Sequence, residues 1–380
     1  MIQAEAHCLL YGFWSLFMKL GIVGLPNVGK STLFNAITLA GAEVANYAFT
    51  TIEPNVGVVA VPDERLKLLA ELNKSAKSTE ATIEFIDIAG LVKGASRGEG
   101  LGNKFLATIR EVDAIVHVCR CFDDENISHV SGSVDPVRDL QVVELELILS
   151  DIELLDRRRE KVERTAKSRD ANAIAELDFI KKLLAFLNQG LAARDYPFEG
   201  ENEANLLRSF FLLSSKPILV VANVAEENAV NGNEYSKALL DHFSPSEVET
   251  LIISAQIEAE IRELPPEDRT EFLNDIGLEE SGLDRLITAS YSTLNLISFL
   301  SATAVEARAW AIPKHFKAVQ AAGVIHSDFE RGFIAAEVIS YDTLAEVGSL
   351  HLAREKGLIR KEGKNYEVRD GDVIYFLFNV

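Results

Sequence analysis

The sequence predicts an α/β protein with a doubly wound, mostly parallel sheet, an inserted antiparallel helical hairpin and a small C-terminal α+β module. Three observations lead to this fold class. Short apolar strands alternate with segments of helical period over most of the chain. Two long amphipathic helices interrupt that alternation. Beyond residue 297 the pattern changes to strands, one short helix and tight turns.

The sheet is predicted from six apolar runs separated by helical segments. The first begins at Met18, in MKLGIVG, and is followed by a glycine-bounded turn and the helical stretch KSTLFNAITLA. Because parallel neighbours need a crossover, usually a helix, this rhythm indicates a parallel sheet. The other runs lie at 57–61, 83–88, 114–120, 217–223 and 250–254.

A helical hairpin is predicted between the fourth and fifth strands, over residues 141–202. Apolar residues recur every three or four positions in its first helix, at Val142, Leu145, Leu149, Ile152 and Leu155. They recur in the same way after the polar turn AKSRDAN, at Ile174, Leu177, Ile180, Leu184 and Leu187. The tip is rich in basic residues, namely Arg157, Arg158, Arg159, Lys161, Arg164, Lys167 and Arg169.

Charge separates the C-terminal module from the rest of the chain. The segment 298–380 has 10 Lys and Arg against 11 Asp and Glu, whereas the remainder has 28 against 47. This shift predicts a boundary near residue 297. The predicted organisation is an N-terminal extension over 1–17, a sheet domain over 18–140 and 203–297, the hairpin over 141–202 and the C-terminal module over 298–380. The extension has no basic start and no cleavage site, so an upstream start codon or a loose tail is expected.

Composition excludes several classes of protein. A net charge of −20 disfavours generic coating of nucleic acid, and no DNA partner is expected. No apolar run approaches the roughly eighteen uncharged residues that would span a bilayer, so no membrane partner is expected either. Three cysteines cannot form a disulfide framework, which fits a reducing cytoplasm. The chain is expected to be a cytoplasmic monomer.

The turn after the first strand carries the motif G-x-x-x-x-G-K-S, from Gly24 to Ser31. Its glycines let backbone N–H groups face phosphate oxygens at a helix N-terminus. Lys30 is then expected to reach the β and γ phosphates as a catalytic group, and Ser31 to offer its hydroxyl to Mg²⁺. The residues expected to bind the phosphates are Asn27, Val28, Gly29, Lys30, Ser31 and Thr32.

A second motif, Asp87-Ile88-Ala89-Gly90, ends the third strand. Its carboxylate is expected to reach Mg²⁺ through water, and the Gly90 N–H to meet the γ-phosphate. Five glycines over 90–102 give a segment that can order around a γ-phosphate and relax without it. A first switch is expected over 41–55, where spacing alone leaves Thr50 and Thr51 both open as ligands of the metal.

The fifth strand ends in Asn223 and is followed by Glu226, where guanine-binding proteins usually have Asn-Lys-x-Asp. Glutamate is one methylene longer than aspartate, so its carboxylate overshoots the guanine edge, and Val224 cannot pack along a base as lysine does. Adenine presents a 6-amino group, which Asn223 or a backbone carbonyl can accept. The expected substrate is therefore ATP. The expected base-side residues are Asn223, Val224, Glu226 and Ser254.

Several stretches in one order resemble the YchF or Obg-like ATPase family. They are GLPNVGKSTLFNA, NYAFTTIEPNVGVV, DIAGLVKGASRGEGLGNKFL, HVCRCF, HVSG, VIHSDFERGFIAAEVISYDT and DGDVIYFLFNV, and the likeness covers about residues 19–380. The resemblance implies a P-loop NTPase domain, a helical insertion and a C-terminal ubiquitin-like (β-grasp) TGS domain. It also implies that Ser31 and Thr51 hold Mg²⁺ and that an NxxE motif accompanies a preference for ATP.

Hydrolysis requires a positioned water, and Ras-like enzymes use a glutamine just after D-x-x-G, where this chain has Leu91. Leucine cannot orient water, so intrinsic turnover is expected to be slow unless another group enters. The resemblance implies that His129, within DDENISHVSG, enters from a mobile loop. By residue type alone, a lone histidine is more often a surface or capping residue.

The resemblance further implies binding to the ribosome or the large ribosomal subunit, through RNA and protein. The basic hairpin tip would then face ribosomal RNA, although acidic neighbours dilute its charge and a solvated helix tip is the plain alternative. The expected function is a Mg²⁺-dependent, ATP-hydrolysing switch. Its rivals are an Obg-type GTPase in ribosome assembly and a nucleotide-gated adaptor with little turnover.

Overall fold

The computed structural model describes residues 18–43, 55–88, 100–168, 170–244, 246 and 248–379. Within them twelve strands form two six-stranded sheets. The strands are β1 Lys19–Val23, β2 Val56–Val61, β3 Lys77–Thr79, β4 Ala81–Asp87, β5 Ala114–Cys121, β6 Ile218–Val224, β7 Thr250–Ile253, β8 Leu296–Ala302, β9 Glu306–Pro313, β10 Phe333–Ser340, β11 Arg360–Glu362 and β12 Asp372–Phe378.

Fourteen α-helices accompany the strands in the described part of the chain. They are α1 Lys30–Glu43, α2 Arg65–Asn73, α3 Gly100–Glu111, α4 Pro136–Ala166, α5 Ala171–Leu187, α6 Glu201–Ser209, α7 Glu234–Phe243, α8 Ala255–Glu263, α9 Pro266–Asp275, α10 Gly282–Thr293, α11 Ala318–Ile325, α12 Ser327–Arg331, α13 Tyr341–Val347 and α14 Leu350–Glu355. None of the described helices is both long and apolar enough to traverse a lipid bilayer.

The first sheet has the order β2-β4-β1-β5-β6-β7. β1 pairs in parallel with β4 and β5, and β6 pairs in parallel with β5 and β7. The central strands β5 and β6 are buried at every residue, which matches their nearly continuous apolar sequences. The predicted doubly wound parallel sheet is therefore confirmed, and the carboxyl ends of β1, β4, β5 and β6 meet at one edge.

The predicted helical hairpin is also present. The cap of α4 is Asp135, with Pro136 at the first helical position, and the cap of α5 is Asp170. The two helices share a core with Leu155, Phe179 and Leu183. A buried carboxylate anchors the hairpin, because Asp151 accepts hydrogen bonds from the backbone N–H groups of residues 213 and 214 at 2.8 Å each.

The chain divides into two compact units. One contains Lys19–Val59 and Glu84–Thr293, and so includes the hairpin. The other contains Ala60–Ile83 together with the chain from Leu294 onward. The sequence boundaries assigned 60–83 to the sheet domain, whereas in the structure this segment, with α2 and β3, belongs to the C-terminal unit.

The second sheet, β11-β10-β12-β8-β9-β3, is built within that C-terminal unit. β12 runs parallel to β8, whereas β9 and β10 run antiparallel to their neighbours β8 and β12. β3 adds an edge strand parallel to β9, with Lys77 opposite Glu306. Arg65 joins the two parts of the unit, because its guanidinium contacts Asp63 and Asp370 at 2.7 Å each. The C-terminal α+β module therefore takes an edge strand from the N-terminal half of the sequence.

Candidate nucleotide-binding site

The loop between β1 and α1 contains two glycines at which a Cβ atom would lie too close to neighbouring atoms. A Cβ on Gly24 would lie 2.5 Å from the carbonyl oxygen of Val118. Gly29 has a φ of +88°, and a Cβ there would lie 2.0 Å from the side-chain nitrogen of Asn223. Asn27 also has a positive φ, of 65°, which asparagine tolerates better than most residues. The glycines of the motif thus permit close packing against β5 and β6.

Lys30 and Asp87 meet at the carboxyl edge of the first sheet. The Lys30 Nζ lies 2.7 Å from Asp87 Oδ1, and the side chains are 10% and 19% exposed. Their elements are adjacent, since Ile22 of β1 is in register with Asp87 of β4. The two motifs identified in the sequence therefore converge on one place, next to the N-terminus of α1, where backbone N–H groups favour an anion.

The predicted Mg²⁺ ligands are only partly within the described residues. Ser31 is exposed next to Lys30, and Asp87 lies within reach of Lys30, so a hydroxyl and a carboxylate flank the same lysine. Oxygen donors of these two kinds suit Mg²⁺, which usually completes its shell with phosphates and water. In the described part of the chain no cluster of three or more His, Cys, Asp and Glu side chains forms a metal site by itself. The predicted contacts of Thr51 and Gly90 lie outside the described residues.

Asn223 connects the P-loop, which is the loop between β1 and α1, to the loop after β7. Its Nδ2 donates to the Val28 carbonyl at 2.8 Å, and its Oδ1 accepts from the Ala255 backbone N–H at 2.9 Å. The residue is only 5% exposed, so both contacts are shielded from water. The side chain predicted to face the base thereby holds together the two loops that would surround it.

The other predicted base-side residues differ in accessibility. Glu226 is exposed and begins a short 3-10 turn, Glu226–Asn228, directly after β6. The Val224 side chain is buried in the sheet, so a contact from Val224 to a nucleotide would use its backbone. Ser254 is 3% exposed, and its hydroxyl has no hydrogen-bond partner among the described residues. A buried hydroxyl without a partner next to Ala255 fits a position that a ligand completes.

His129 lies on a loop that contacts the P-loop, but its ring faces α4. The Asn27 Nδ2 donates to the carbonyl of Ser128 at 3.1 Å. The His129 side chain is 6% exposed, with Nε2 2.8 Å from Asp139 Oδ2. Its Nδ1 accepts from the Ser131 N–H at 3.0 Å. The residue before the predicted catalytic histidine therefore contacts the phosphate-binding loop, while both ring nitrogens of His129 are engaged elsewhere.

Arg120 is a functional candidate that the sequence reasoning missed. It lies on β5 and is 2% exposed. Its guanidinium donates to the carbonyls of Phe122 and Ile127 at 3.0 Å each, and to that of Asp124 at 3.3 Å. Arg120 thereby shapes the loop that leads to His129. The sequence feature that could have identified Arg120 is an arginine inside the otherwise apolar strand that contains HVCRCF.

The remaining titratable groups of β5 are packed rather than reactive. Burial lowers the pKa of His117 to about 3, with a smaller contribution from the charge of Arg194. Burial raises the pKa of Cys121 to about 12 and that of Cys119 well above its usual value. These groups are neutral near pH 7, so they serve as core side chains.

Two family models and several named relatives match this chain. Residues 19–175 match a family model described as "50S ribosome-binding GTPase", and residues 296–379 match the model YchF-GTPase_C, described as a protein of unknown function. The chain is 52% identical to a Bacillus subtilis protein named "Ribosome-binding ATPase YchF", covering 95% of this chain and 99% of the relative. It is 48% identical to the Escherichia coli O157:H7 protein of that name, with the same coverage.

Two solved structures also resemble this chain. The structure of the Schizosaccharomyces pombe YchF GTPase matches with a TM-score of 0.86 and 36% identity, over 97% of this chain and 99% of that chain. A GTP-binding protein from Pyrococcus horikoshii OT3 matches with a TM-score of 0.60 and 20% identity, over 95% of this chain and 100% of that chain. The second likeness concerns the fold alone.

Proposed function

Because this chain belongs to the YchF family of P-loop proteins, we propose that it is a cytoplasmic, Mg²⁺-dependent ATPase whose nucleotide state governs binding to the ribosome. The observation that carries the proposal is the convergence of Lys30, Asp87 and Asn223 on the loop between β1 and α1. Relatives that match nearly end to end are named ribosome-binding ATPases, which supports both halves of the proposal.

In the proposed complex the phosphates lie over the N-terminus of α1. The backbone of residues 27–32 and the Lys30 ammonium bind them, as the P-loop geometry requires. Ser31, Thr51 and Asp87 would hold Mg²⁺, which neutralises phosphate charge when it is bound. In the structure Lys30 contacts the Asp87 carboxylate. When a triphosphate binds, phosphate oxygens would replace that carboxylate as the partner of Lys30. Gly90 would contribute its N–H to the γ-phosphate.

The base-side residues favour adenine over guanine. Guanine recognition requires a carboxylate at a fixed reach and a lysine stem along the base, whereas this chain has Glu226 and a buried Val224. The side chain of Asn223 is held by two protein contacts, so we assign it to positioning the two loops. The free hydroxyl of Ser254 and backbone groups after β7 are then the donors and acceptors left for the base.

We assign hydrolysis to His129. Leu91 replaces the water-positioning glutamine of Ras-like enzymes, and the loop of His129 contacts the P-loop through Ser128 and Asn27. In this assignment the ring leaves Asp139 and orients the attacking water, which requires a ring nitrogen within about 3 Å of that water. The ring position seen here corresponds to a resting arrangement.

A groove beside the hairpin supports contact with ribosomal RNA. It has a volume of 640 Å³ and lies between α3 and the hairpin helices. Four of its lining side chains are cationic and two are anionic, on a protein whose net charge is −20. Arg157 and Arg158 each contact a glutamate at 2.6 Å. Lys161 has no such partner among the described residues and is the cation best placed to meet a phosphodiester.

The nucleotide is tested by measuring dissociation constants for ATP and GTP in the presence of Mg²⁺. The proposal predicts tighter binding of ATP. The opposite order would favour an Obg-type GTPase, the rival suggested by the word GTPase in the description of the matched family model and in the name of the fission-yeast protein. Single-turnover hydrolysis with and without ribosomes tests turnover, because a nucleotide-gated adaptor would leave ATP intact in both conditions.

The partner is tested by sedimenting the protein with ribosomes and with isolated large subunits across a salt series. Binding should weaken steeply with salt if phosphates contribute. Lys161→Glu should weaken co-sedimentation, whereas Lys237→Glu, an equal charge change on α7 outside the groove lining, should not. Absence of co-sedimentation at every salt concentration would contradict the proposal.

A further inference from the structure

The loop between β5 and α4, residues 122–135, is held mainly by polar contacts. Most of its residues are at least partly exposed, so apolar packing contributes little to its position. Arg120 binds three of its carbonyls from one side, and Asn27 of the P-loop binds the Ser128 carbonyl. A further attachment is the contact between His129 and Asp139 of α4. Polar attachments of this kind can be exchanged without opening a hydrophobic core.

His129 has a defined protonation pattern in this attachment. Its Nδ1 accepts a hydrogen bond from the Ser131 N–H at 3.0 Å, so Nδ1 carries no proton. Nε2 must then carry the proton and donate it to Asp139 Oδ2 at 2.8 Å. Both nitrogens are used, and the ring is 6% exposed. In this position His129 cannot contact a water molecule or a phosphate.

Asp139 is itself firmly oriented. Its side chain is 3% exposed, and its Oδ1 accepts from the Arg138 guanidinium at 2.9 and 3.1 Å. The same guanidinium donates to the Ser133 carbonyl at 2.7 Å, so Arg138 binds the end of the loop as well. Asp139 lies in the first turn of α4, where the helix dipole favours a carboxylate. Its two oxygens therefore face two donors, Arg138 and His129.

We propose that Asp139 is a positioning residue that stores His129 away from the nucleotide, and that hydrolysis requires the His129–Asp139 contact to break. The inference rests on the role proposed above for His129. Asn27 provides the connection to the nucleotide, because it belongs to the P-loop and binds the carbonyl adjacent to His129. When Asn27 turns to the phosphates, Ser128 loses that bond and the attachment next to it is weakened.

Asp139→Asn is the informative substitution. Asparagine offers one acceptor oxygen, whereas both partners of Asp139 are donors, so one of the two contacts is lost. A hydrogen bond to a charged group is also about twice as strong as a neutral one. We expect the ratio of stored to released His129 to fall about tenfold or more. The single-turnover rate without ribosomes should rise by up to that factor. Because ATP binding and release of His129 are coupled through Asn27, ATP should bind at least as tightly as to the wild type.

The experiment compares the full-length wild type with Asp139→Asn, His129→Ala and the double variant at saturating ATP. The gain should vanish in the double variant. The matched control is Asp135→Asn, because asparagine caps a helix as well as aspartate does and Asp135 does not contact His129. The control should keep the wild-type rate. An unchanged or lower rate for folded Asp139→Asn would overturn the inference.

A spectroscopic readout separates positioning from a merely structural role. Nitrogen chemical shifts of the His129 ring should report a protonated Nε2 and an accepting Nδ1 in the wild type. In Asp139→Asn the population-averaged shifts should move away from these values, and shifts identical to those of the wild type would overturn the inference. If Asp139→Asn does not fold, Arg138→Gln, which leaves Asp139 in place, should still raise the rate, and no rise would overturn it. Wild-type turnover in His129→Ala would instead contradict the role proposed for His129.

Discussion

Replacing Asn223 by alanine tests whether this residue holds the nucleotide-binding loops together. The substitution removes the hydrogen bonds to the Val28 carbonyl at 2.8 Å and from the Ala255 N–H at 2.9 Å. Both backbone groups lie in buried residues, so each is left without a partner in a site shielded from water. An unsatisfied buried group costs about 1–3 kcal/mol, and the pair therefore costs about 2–6 kcal/mol of unfolding free energy.

The assay is urea unfolding followed by circular dichroism, with and without ATP and Mg²⁺. The relevant transition is the one that ATP shifts, because only the nucleotide-binding unit is stabilised directly by the ligand. Asn223→Asp is a sharper probe, since it keeps the acceptor for Ala255 but places a carboxylate oxygen against the Val28 carbonyl. We expect Asn223→Asp to lose at least as much stability as Asn223→Ala. Asn274→Ala, at an exposed position of α9, is the matched control.

The two readings of Asn223 give different results in this assay. If Asn223 positions the loops, stability falls even without nucleotide, and affinity for ATP and GTP falls together. If Asn223 only contacts the base, unfolding without nucleotide is the same as in the control and only adenine affinity falls. Unchanged unfolding of Asn223→Ala in the absence of nucleotide would refute the reasoning.

Burial lowers the pKa of His117 to about 3, so the folded protein keeps this ring neutral while the unfolded chain protonates it below about pH 6.5. The contribution of His117 to the free energy of unfolding is therefore complete above about pH 6.5 and is lost as the pH falls. Urea unfolding at a series of pH values checks this with His117→Gln. Between about pH 6.5 and pH 3, the difference in unfolding free energy between the wild type and this variant should shrink by about 1.4 kcal/mol per pH unit. A difference that stays constant would contradict burial of a neutral ring. Arg120→Met should speed amide hydrogen exchange in residues 122–129, since three carbonyls lose their donor, while the helix α10 keeps its protection. Glu226→Asp should raise the affinity for GTP relative to ATP, measured as the ratio of dissociation constants, and an unchanged ratio would show that this carboxylate does not read the base.

The fold was predictable where one stretch of chain determines one element. The strands β5 and β6 are nearly continuous apolar runs, and the hairpin helices have an apolar residue every three or four positions. The order of apolar residues within each stretch was therefore sufficient to predict these elements. The segment 60–83 was not predictable in the same way. β3 has three residues, too few for a pattern, and it becomes a strand by pairing with β9, which lies far along the chain. Pairing between distant segments leaves no local signal.

In the candidate site, too, local motifs were predictable and contacts between separate segments were not. Glycines, Lys30 and Asp87 were identified because phosphate binding requires those residue types at fixed spacing, and the structure brings Lys30 and Asp87 into contact. The contact between His129 and Asp139 was not predicted. His129 lies on a loop and Asp139 on α4, so no strand or helix period relates the two residues, and the contact depends on how Arg120 holds the loop between β5 and α4. A residue type indicates which chemistry is available, whereas its partners decide when that chemistry can be used.

Asn223 illustrates why loop architecture and base choice can be separated. Its position needs a side chain that donates on one side, to Val28, and accepts on the other, from Ala255. Glutamine has the same groups at a longer reach, aspartate lacks the donor, and leucine lacks both, so asparagine is favoured whichever base is bound. The asparagine of the motif therefore carries little information about adenine or guanine. In the proposed site, the side chains that remain free to meet a base are Glu226 and the hydroxyl of Ser254 among the described residues. We therefore expect substitutions at position 226 to change the preferred nucleotide without disturbing the bonds that connect the P-loop to β6 and α8.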